Sequence, residues 1–239
     1  MTICKNCSSE VALNYCPKCG QQPNLKRIDG HYISHEIEHL LHFERGILYT
    51  VRELLLRPGA TVRRFISDDR SRLVKPVIFL IITSLIYTLV SHFFHIEDGY
   101  MKFEGEKKSS TGAIFEWIQA HYGYANIIMG IFIAFWAMIF FKKYNYNFFE
   151  ILIVLCFAMG MAMLIFAFCG IIYGIAHIDI MQIGGCIGII YCAWAIGQFF
   201  DKRKFSSYAK ALGAYILGMV MFSFLAIAAG MLIDAVIKH

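Results

Sequence analysis

Five long apolar runs constrain the fold of this chain more than any other feature. Each run has about the 20 residues that a helix needs to cross a hydrocarbon core of about 30 Å. A backbone in lipid must satisfy its own hydrogen bonds, and a helix does so within one segment. The runs predict spans at about 76–94, 122–141, 148–175, 183–200 and 211–235.

The polar residues are concentrated at the start of the chain, mostly before residue 76. Hydrophobic residues make up 58% of the sequence and charged residues 16%, whereas a soluble domain carries roughly 25% charged residues. The connections between the apolar runs are short except for 95–121, which we expect to be a loop. The sequence therefore predicts an all-α integral membrane protein, with a five-helix transmembrane bundle over 76–239.

Two CxxC pairs open the chain: Cys4 with Cys7, and Cys16 with Cys19. Each pair can present two sulfurs from one tight turn, and two such turns make the tetrahedral sulfur site that suits zinc. A redox CxxC normally accompanies a βαβ pattern, and disulfides need an oxidising compartment. We predict a zinc ribbon over 1–24, in which structural Zn²⁺ supplies the folding energy.

Lysine and arginine are distributed unequally between the two sides of the predicted bundle. Of the 22 such residues, 18 lie in the head and in the segments 142–147 and 201–210, and four lie on the other side. Cytoplasmic loops carry this excess in membrane proteins. The bias predicts a multi-pass protein of the bacterial inner membrane, with a cytoplasmic N-terminus and the C-terminus on the opposite side.

The segment 29–75 links the head to the first span. Apolar residues recur with a 3.6-residue period from Ile33 to Leu55 and predict one amphipathic helix with a single apolar face, capped by Asp29 and ended by Pro58-Gly59. Basic residues in this segment are candidate contacts for anionic lipid or for a protein partner, or else they only flank the first span. These residues are Arg45, Arg52, Arg57, Arg63, Arg64, Arg70, Arg72 and Lys75.

The sequence HEIEH within this segment matches the HExxH pattern of zinc proteases. His35 and His39 can hold zinc, with Glu36 as the general base. A third ligand is needed, and His31 and His42 lie about 12 Å and 10 Å along a helix from the more distant histidine of the pair. We expect a solvated polar stripe. A metalloprotease, a second non-catalytic metal site and a pH-sensitive face remain alternatives.

The predicted spans place their acidic residues near the span ends and carry several pairs of small residues. Transporters usually have ionisable groups at mid-membrane, whereas Glu150, Asp179, Asp201 and Asp234 lie near ends or loops. Small residues four apart let helix backbones approach closely, either within one bundle or between copies of the chain. The pairs are Gly170 and Gly174, Gly184 and Gly188, and Ala226 and Gly230.

Two stretches carry a family resemblance: CPKCGQQ in the head and GILYTVRELLLRPGATVRRFISDDRSRLVKPVIFL before and into the first span. Together they resemble an uncharacterised family of bacterial multi-span membrane proteins headed by a zinc ribbon, over about residues 1–85. The resemblance implies an architecture and no catalytic residue. The chain has Asp69-Arg70-Ser71-Arg72 where that family has Gly-Lys-Arg. A topological likeness to Yip-type five-span proteins, which are associated with membrane organisation, is an analogy.

These features together predict a non-enzymatic membrane adaptor, scaffold or bilayer-organising protein. The expected partners are membrane lipids, including anionic ones, a protein bound through the zinc ribbon, and a second copy of the chain. Nucleic acid is not an expected partner. A small channel or transporter and the metalloprotease described above are the alternative functions.

Overall fold

The computed structural model describes residues 2–3, 9–11, 17–18, 46–67, 72–94, 96, 110–178 and 180–237. Eight α-helices lie within these ranges. They are α1 (Ile47–Leu56), α2 (Pro58–Ser67), α3 (Pro76–Phe93), α4 (Ser110–Ala120), α5 (Tyr122–Phe141), α6 (Phe148–Ala176), α7 (Met181–Asp201) and α8 (Phe205–Ile237). A short 3₁₀ turn, Lys142–Tyr144, follows α5.

The chain divides into two units, Met1–Glu44 and Arg45–His239. In the first unit, β1 (Thr2–Ile3) pairs antiparallel with β2 (Glu10–Val11), so that Thr2 lies opposite Val11. Residues 17–18 form a turn. The described helices all belong to the second unit.

Five helices of the second unit are long and apolar enough to cross a membrane: α3, α5, α6, α7 and α8. Their number confirms the count of spans made from the sequence. Helix α8 begins at Phe205, whereas the apolar run begins near residue 211, because the polar turn that precedes the run is helical as well. By length and composition these helices suggest a multi-pass membrane protein.

Helix α6 lies at the centre of the bundle and α8 at its edge. Helices α3, α5 and α7 all pack on α6, and 67% of its most apolar window is buried, against 11% for α8. The large side chains of Phe157, Met159 and Met161 are almost fully enclosed. Helix α6 therefore fills the middle of the bundle, while most apolar side chains of α8 face outward.

The small residues of the spans make close contacts within this one chain. A Cβ atom added to Gly174 would overlap the ring of Phe94, and one added to Gly184 would lie 2.8 Å from Sγ of Cys169. Gly230 packs in the same way on Thr111. Packing within one bundle, the simpler of the two expectations, accounts for these three glycines.

The predicted loop 95–121 contains a helix, so this prediction is wrong for its second half. Helix α4 packs on α8, and the carboxylate of Asp234 accepts a hydrogen bond of 2.8 Å from the backbone N–H of Ser110. Ile114, Phe115 and Ile118 follow a helical spacing and are half-buried. An 11-residue helix is too short to appear as an apolar span, and only its docking site on α8 makes it evident.

Candidate functional site

Helices α1 and α2, here called the juxtamembrane helix pair (residues 47–67), join the bundle where α3 begins and α7 ends. The hydroxyl of Thr50 accepts a hydrogen bond of 3.1 Å from the backbone N–H of Val74. The hydroxyl of Tyr191 donates one of 3.0 Å to the carbonyl of Leu54. Because Leu54 lies in the last turn of α1, this carbonyl has no partner within its own helix. Both bonds are buried and tie α1 to the bundle.

Helix α2 packs closely on the C-terminal end of α7. A Cβ atom on Gly59 would overlap the backbone of Gln198, so only glycine permits this approach. One turn later, Nη1 of Arg63 donates to the carbonyl of Gln198 at 2.7 Å and also to that of Phe199. These carbonyls are among the last four of α7, which lack helical partners, and a cation there is favoured by the helix dipole.

Apolar side chains of the helix pair enter the core of the bundle. Leu54, Val62 and Phe65 are 1%, 2% and 5% exposed. The ring of Phe65 meets that of Phe157 edge to face, with the ring centroids 5.4 Å apart. Edge-to-face pairs of this kind add to the gain from burial alone. The helix pair is thus an integral part of the transmembrane unit.

Helix α1 buries only part of its predicted apolar face, and the earlier part of the predicted helix, with the cap at Asp29, lies outside the described residues. The helix ends at Leu56, before Pro58, as expected, but α2 starts at once because proline is well suited to a first helical turn. Leu54 faces inward, whereas Leu48 and Leu55 are 84% and 52% exposed. The apolar residues occupy a wider arc than one packed interface can bury, so part of it faces outward.

A cleft of about 80 Å³ lies between α1, α2 and the chain that leads into α3. Its polar lining comes from two side chains of α1, two of α2, the residue between these helices and one residue after α2. These are Tyr49, Glu53, Arg57, Thr61, Arg64 and Arg72. Three guanidinium groups and one carboxylate leave the lining with a net positive charge.

The structure separates the predicted basic residues into distinct roles. Arg57, Arg64 and Arg72 line the cleft, Arg63 binds the end of α7, and Arg52 and Lys75 are exposed elsewhere. The other two members of the set, at positions 45 and 70, lie outside the described residues. Sequence spacing could not distinguish Arg63 from Arg64, although one of them is structural and the other faces the cleft.

The same end of the bundle carries two further basic connections and a group of stacked rings. The basic side chains are those of Lys142, Lys143, Lys202, Arg203 and Lys204. Lys204 forms an ion pair of 3.0 Å with Asp201, and the hydrogen bond to this carboxylate raises the pKa of Lys204. The rings of Phe141 and Phe200 stack with centroids 3.8 Å apart. Aromatic and basic groups together are typical of a membrane–water interface.

The predicted metal ligands Cys4, Cys7, Cys16 and Cys19 lie outside the described residues. The protease candidates His35, Glu36 and His39 also lie outside them. In the parts of the chain that the structure does describe, no three His, Cys, Asp or Glu side chains are grouped as a metal ion would require. Both metal predictions stay predictions.

A family model described as a protein of unknown function (DUF3667) matches residues 44–88. This range covers the juxtamembrane helix pair, the connection that contributes Arg72 to the cleft, and most of α3. The chain is similar to that family over this segment, which includes neither the N-terminal cysteines nor the later spans. The predicted likenesses to ribbon-headed and Yip-type proteins therefore stay predictions. No curated protein and no solved structure matches the chain.

Proposed function

We propose that this protein is a non-enzymatic membrane scaffold that binds anionic lipid at one face of the bilayer. One observation carries the proposal: the juxtamembrane helix pair is joined to the bundle by buried hydrogen bonds and still presents Arg52, Arg57 and Arg64 to the outside. Basic side chains near an anionic leaflet each contribute about 1 kcal/mol to attraction. A fixed helix pair holds them at the surface.

The proposed orientation places this face in the bacterial cytoplasm. The basic connections 142–147 and 202–204 lie at the same end of the bundle as the helix pair, and this supports the positive-inside assignment. Five spans then bring the C-terminus to the opposite side of the inner membrane. Reporter fusions before Met1 and after His239 test the orientation, and equal signals from the two fusions contradict it.

The proposed head is a zinc ribbon that offers a surface to a protein partner. Strands β1 and β2 pair across the segment that contains Cys4 and Cys7, and a turn at 17–18 lies between Cys16 and Cys19. A returning strand pair and a tight turn support the two-knuckle arrangement. Bound Zn²⁺ would hold the four sulfurs together and so stabilise the fold of the head.

Metal analysis of the purified full-length protein tests the head. One zinc per chain is expected, with loss of the metal in the double variant Cys16→Ser with Cys19→Ser. The matched control is Cys169→Ser with Cys192→Ser, which removes two buried cysteines of the spans and is expected to leave zinc unchanged. Retention of zinc by the first variant contradicts the ribbon.

Lipid selection by the full-length protein tests the main proposal. The protein is reconstituted in mixed liposomes of phosphatidylglycerol and phosphatidylcholine, extracted with its surrounding lipid by a polymer, and the lipid is quantified. Enrichment of the anionic lipid is expected, and it is expected to fall between about 0.1 M and about 1 M salt because the screening length shortens from about 10 Å to about 3 Å. If the ratio of phosphatidylglycerol to phosphatidylcholine around the protein equals that of the whole liposome at both salt concentrations, the proposal is contradicted.

A further inference from the structure

The cleft between α1, α2 and Arg72 is the strongest unassigned feature of the described residues. Tyr49 and Glu53 lie one turn apart on α1, Arg57 follows the last residue of that helix, and Thr61 and Arg64 line the cleft from α2. Its volume of about 80 Å³ has room for several water-sized groups, since one water needs at least about 10–15 Å³. This room suits one phosphate group.

The chemistry of the lining favours an anion with several oxygen atoms. Each guanidinium is a planar fork of N–H donors that matches phosphate oxygens in pairs. Arg57, Arg64 and Arg72 supply three such forks, and the hydroxyl of Tyr49 is a further donor. The Glu53 carboxylate is the one acidic group among the cleft's lining residues, against three guanidinium groups.

The depth of the cleft matches the headgroup layer of a bilayer. Helix α3 has 18 residues and so spans about 27 Å, close to the thickness of the hydrocarbon core. Arg72 precedes the first residue of α3 by only four positions. Phe149 and Phe205, at the first turns of α6 and α8 on the same end, are 72% and 85% exposed, as expected for rings at a membrane interface.

The outward leucines of α1 favour a lipid as the source of the phosphate. Leu48, Leu55 and Leu56 of α1 are 84%, 52% and 60% exposed, whereas α2 exposes Ala60, Arg64 and Ser67. Interfacial helices place such apolar faces against acyl chains. A lipid satisfies both features at once, because its chains can cover the leucines while its phosphate enters the cleft.

We infer that Arg57, Arg64 and Arg72 form a discrete site for the phosphate of a small-headgroup anionic lipid. This inference rests on the proposed lipid-binding function and adds a defined pocket to it. Diffuse attraction depends only on the number of charges, whereas a discrete site depends on guanidinium geometry at three positions.

Calorimetric titration of the full-length protein in detergent tests the site, with short-chain phosphatidic acid as the probe. The triple variant Arg57→Gln, Arg64→Gln, Arg72→Gln is expected to bind at least about tenfold more weakly than wild type. The matched control Lys142→Gln, Lys202→Gln, Arg203→Gln removes the same charge from exposed positions at the same end. It is expected to change affinity less than about threefold at 0.15 M salt, where distant charges are screened.

A charge-conserving variant separates a discrete site from diffuse attraction. Arg57→Lys with Arg64→Lys and Arg72→Lys keeps every charge and removes the planar forks, so most of the tenfold loss is expected to remain. Wild-type affinity in this variant, or an equal loss in the matched control, overturns the site. Either result leaves the proposed function intact, because that function is judged from the enrichment of anionic lipid around the protein in the bilayer.

Two further arms keep the result interpretable. Inorganic phosphate is expected to bind more weakly than phosphatidic acid because it lacks chains to cover Leu48 and Leu55, and equal affinity overturns the lipid as the source.

Thermal unfolding checks that each variant is folded. If the triple variant is not, the single change Arg64→Gln at an exposed side chain takes its place, with an expected loss of about fivefold. An unchanged affinity in that variant also overturns the site.

Discussion

Two short helical elements dock at opposite ends of the bundle with the same kind of anchor. At the basic end, Gly59 of α2 packs on the backbone of Gln198, and Arg63 donates to free carbonyls at the C-terminus of α7. At the other end, Gly230 of α8 packs on Thr111, and Asp234 accepts from the N-terminus of α4. A cation meets a helix C-terminus and an anion meets an N-terminus, as the helix dipole requires in both cases.

The two elements differ in how much apolar surface supports the anchor. The juxtamembrane helix pair sends Leu54, Val62 and Phe65 into the core, whereas residues 110–119 of α4 are half-buried or exposed. Helix α4 rests on the outermost helix of the bundle. The comparison teaches that glycine contact and charge set where a short helix docks, and that buried side chains determine how firmly it stays there.

Among the substitutions that compare the two ends, alanine in place of the docking glycines is expected to change the free energy of unfolding most unequally. Gly59→Ala forces a Cβ into the backbone of Gln198, and overpacking of this kind costs up to about 3 kcal/mol. Gly230→Ala is expected to cost about 1 kcal/mol, because α4 has few buried contacts and can move away. The measurement is the free energy of unfolding in mixed micelles, followed by circular dichroism.

Gly213→Ala is the control for both glycines. The nearest atom to its added Cβ is Cε2 of Phe140 at 3.5 Å, an ordinary contact, and alanine is the better helix former by up to about 1 kcal/mol. A cost for Gly230→Ala equal to that of Gly59→Ala would show that the two ends are equally rigid and would break the comparison.

An intermediate effect is expected from Arg63→Met, which keeps the length of the side chain and removes its donors. The loss is expected to be about 1.5 kcal/mol, at the lower end for bonds with a charged group because Arg63 is half-buried. Arg63→Lys is expected to recover part of it. Arg52→Met, at an exposed position of α1, is the control and is expected to stay within about 0.5 kcal/mol. Equal losses at the two positions contradict the assigned role of Arg63.

The smallest effect is expected from Asp234 at the other end. Asp234→Ala removes an acceptor at a helix N-terminus and is expected to cost about 1 kcal/mol, while Asp234→Asn keeps an acceptor oxygen and costs about half as much. Hydrogen exchange locates the effect: amides of α4 lose protection, and those of the juxtamembrane helix pair do not. Equal loss of protection in both elements would mean that the ends are coupled.

The features read correctly from the sequence are those set by local properties of the chain. The length of each apolar run predicts the five spans, and Pro58 predicts the end of α1. Helix α4 was missed because eleven residues of mixed polarity resemble a loop when their docking site is unknown. Periodicity showed the apolar arc of α1 but not which part of it is buried, because burial depends on where the helix packs.

By itself, the sequence determines which segments are apolar enough for a membrane and where basic residues accumulate, since both depend on neighbouring residues alone. Only the tertiary structure decided that Gly59 is a contact as well as part of a helix break, and that Arg63 binds α7 while Arg64 lines a cleft. Arg63 and Gln198 are separated by 135 positions. Such a pairing depends on how helices pack in space, and no local pattern around either residue specifies its partner.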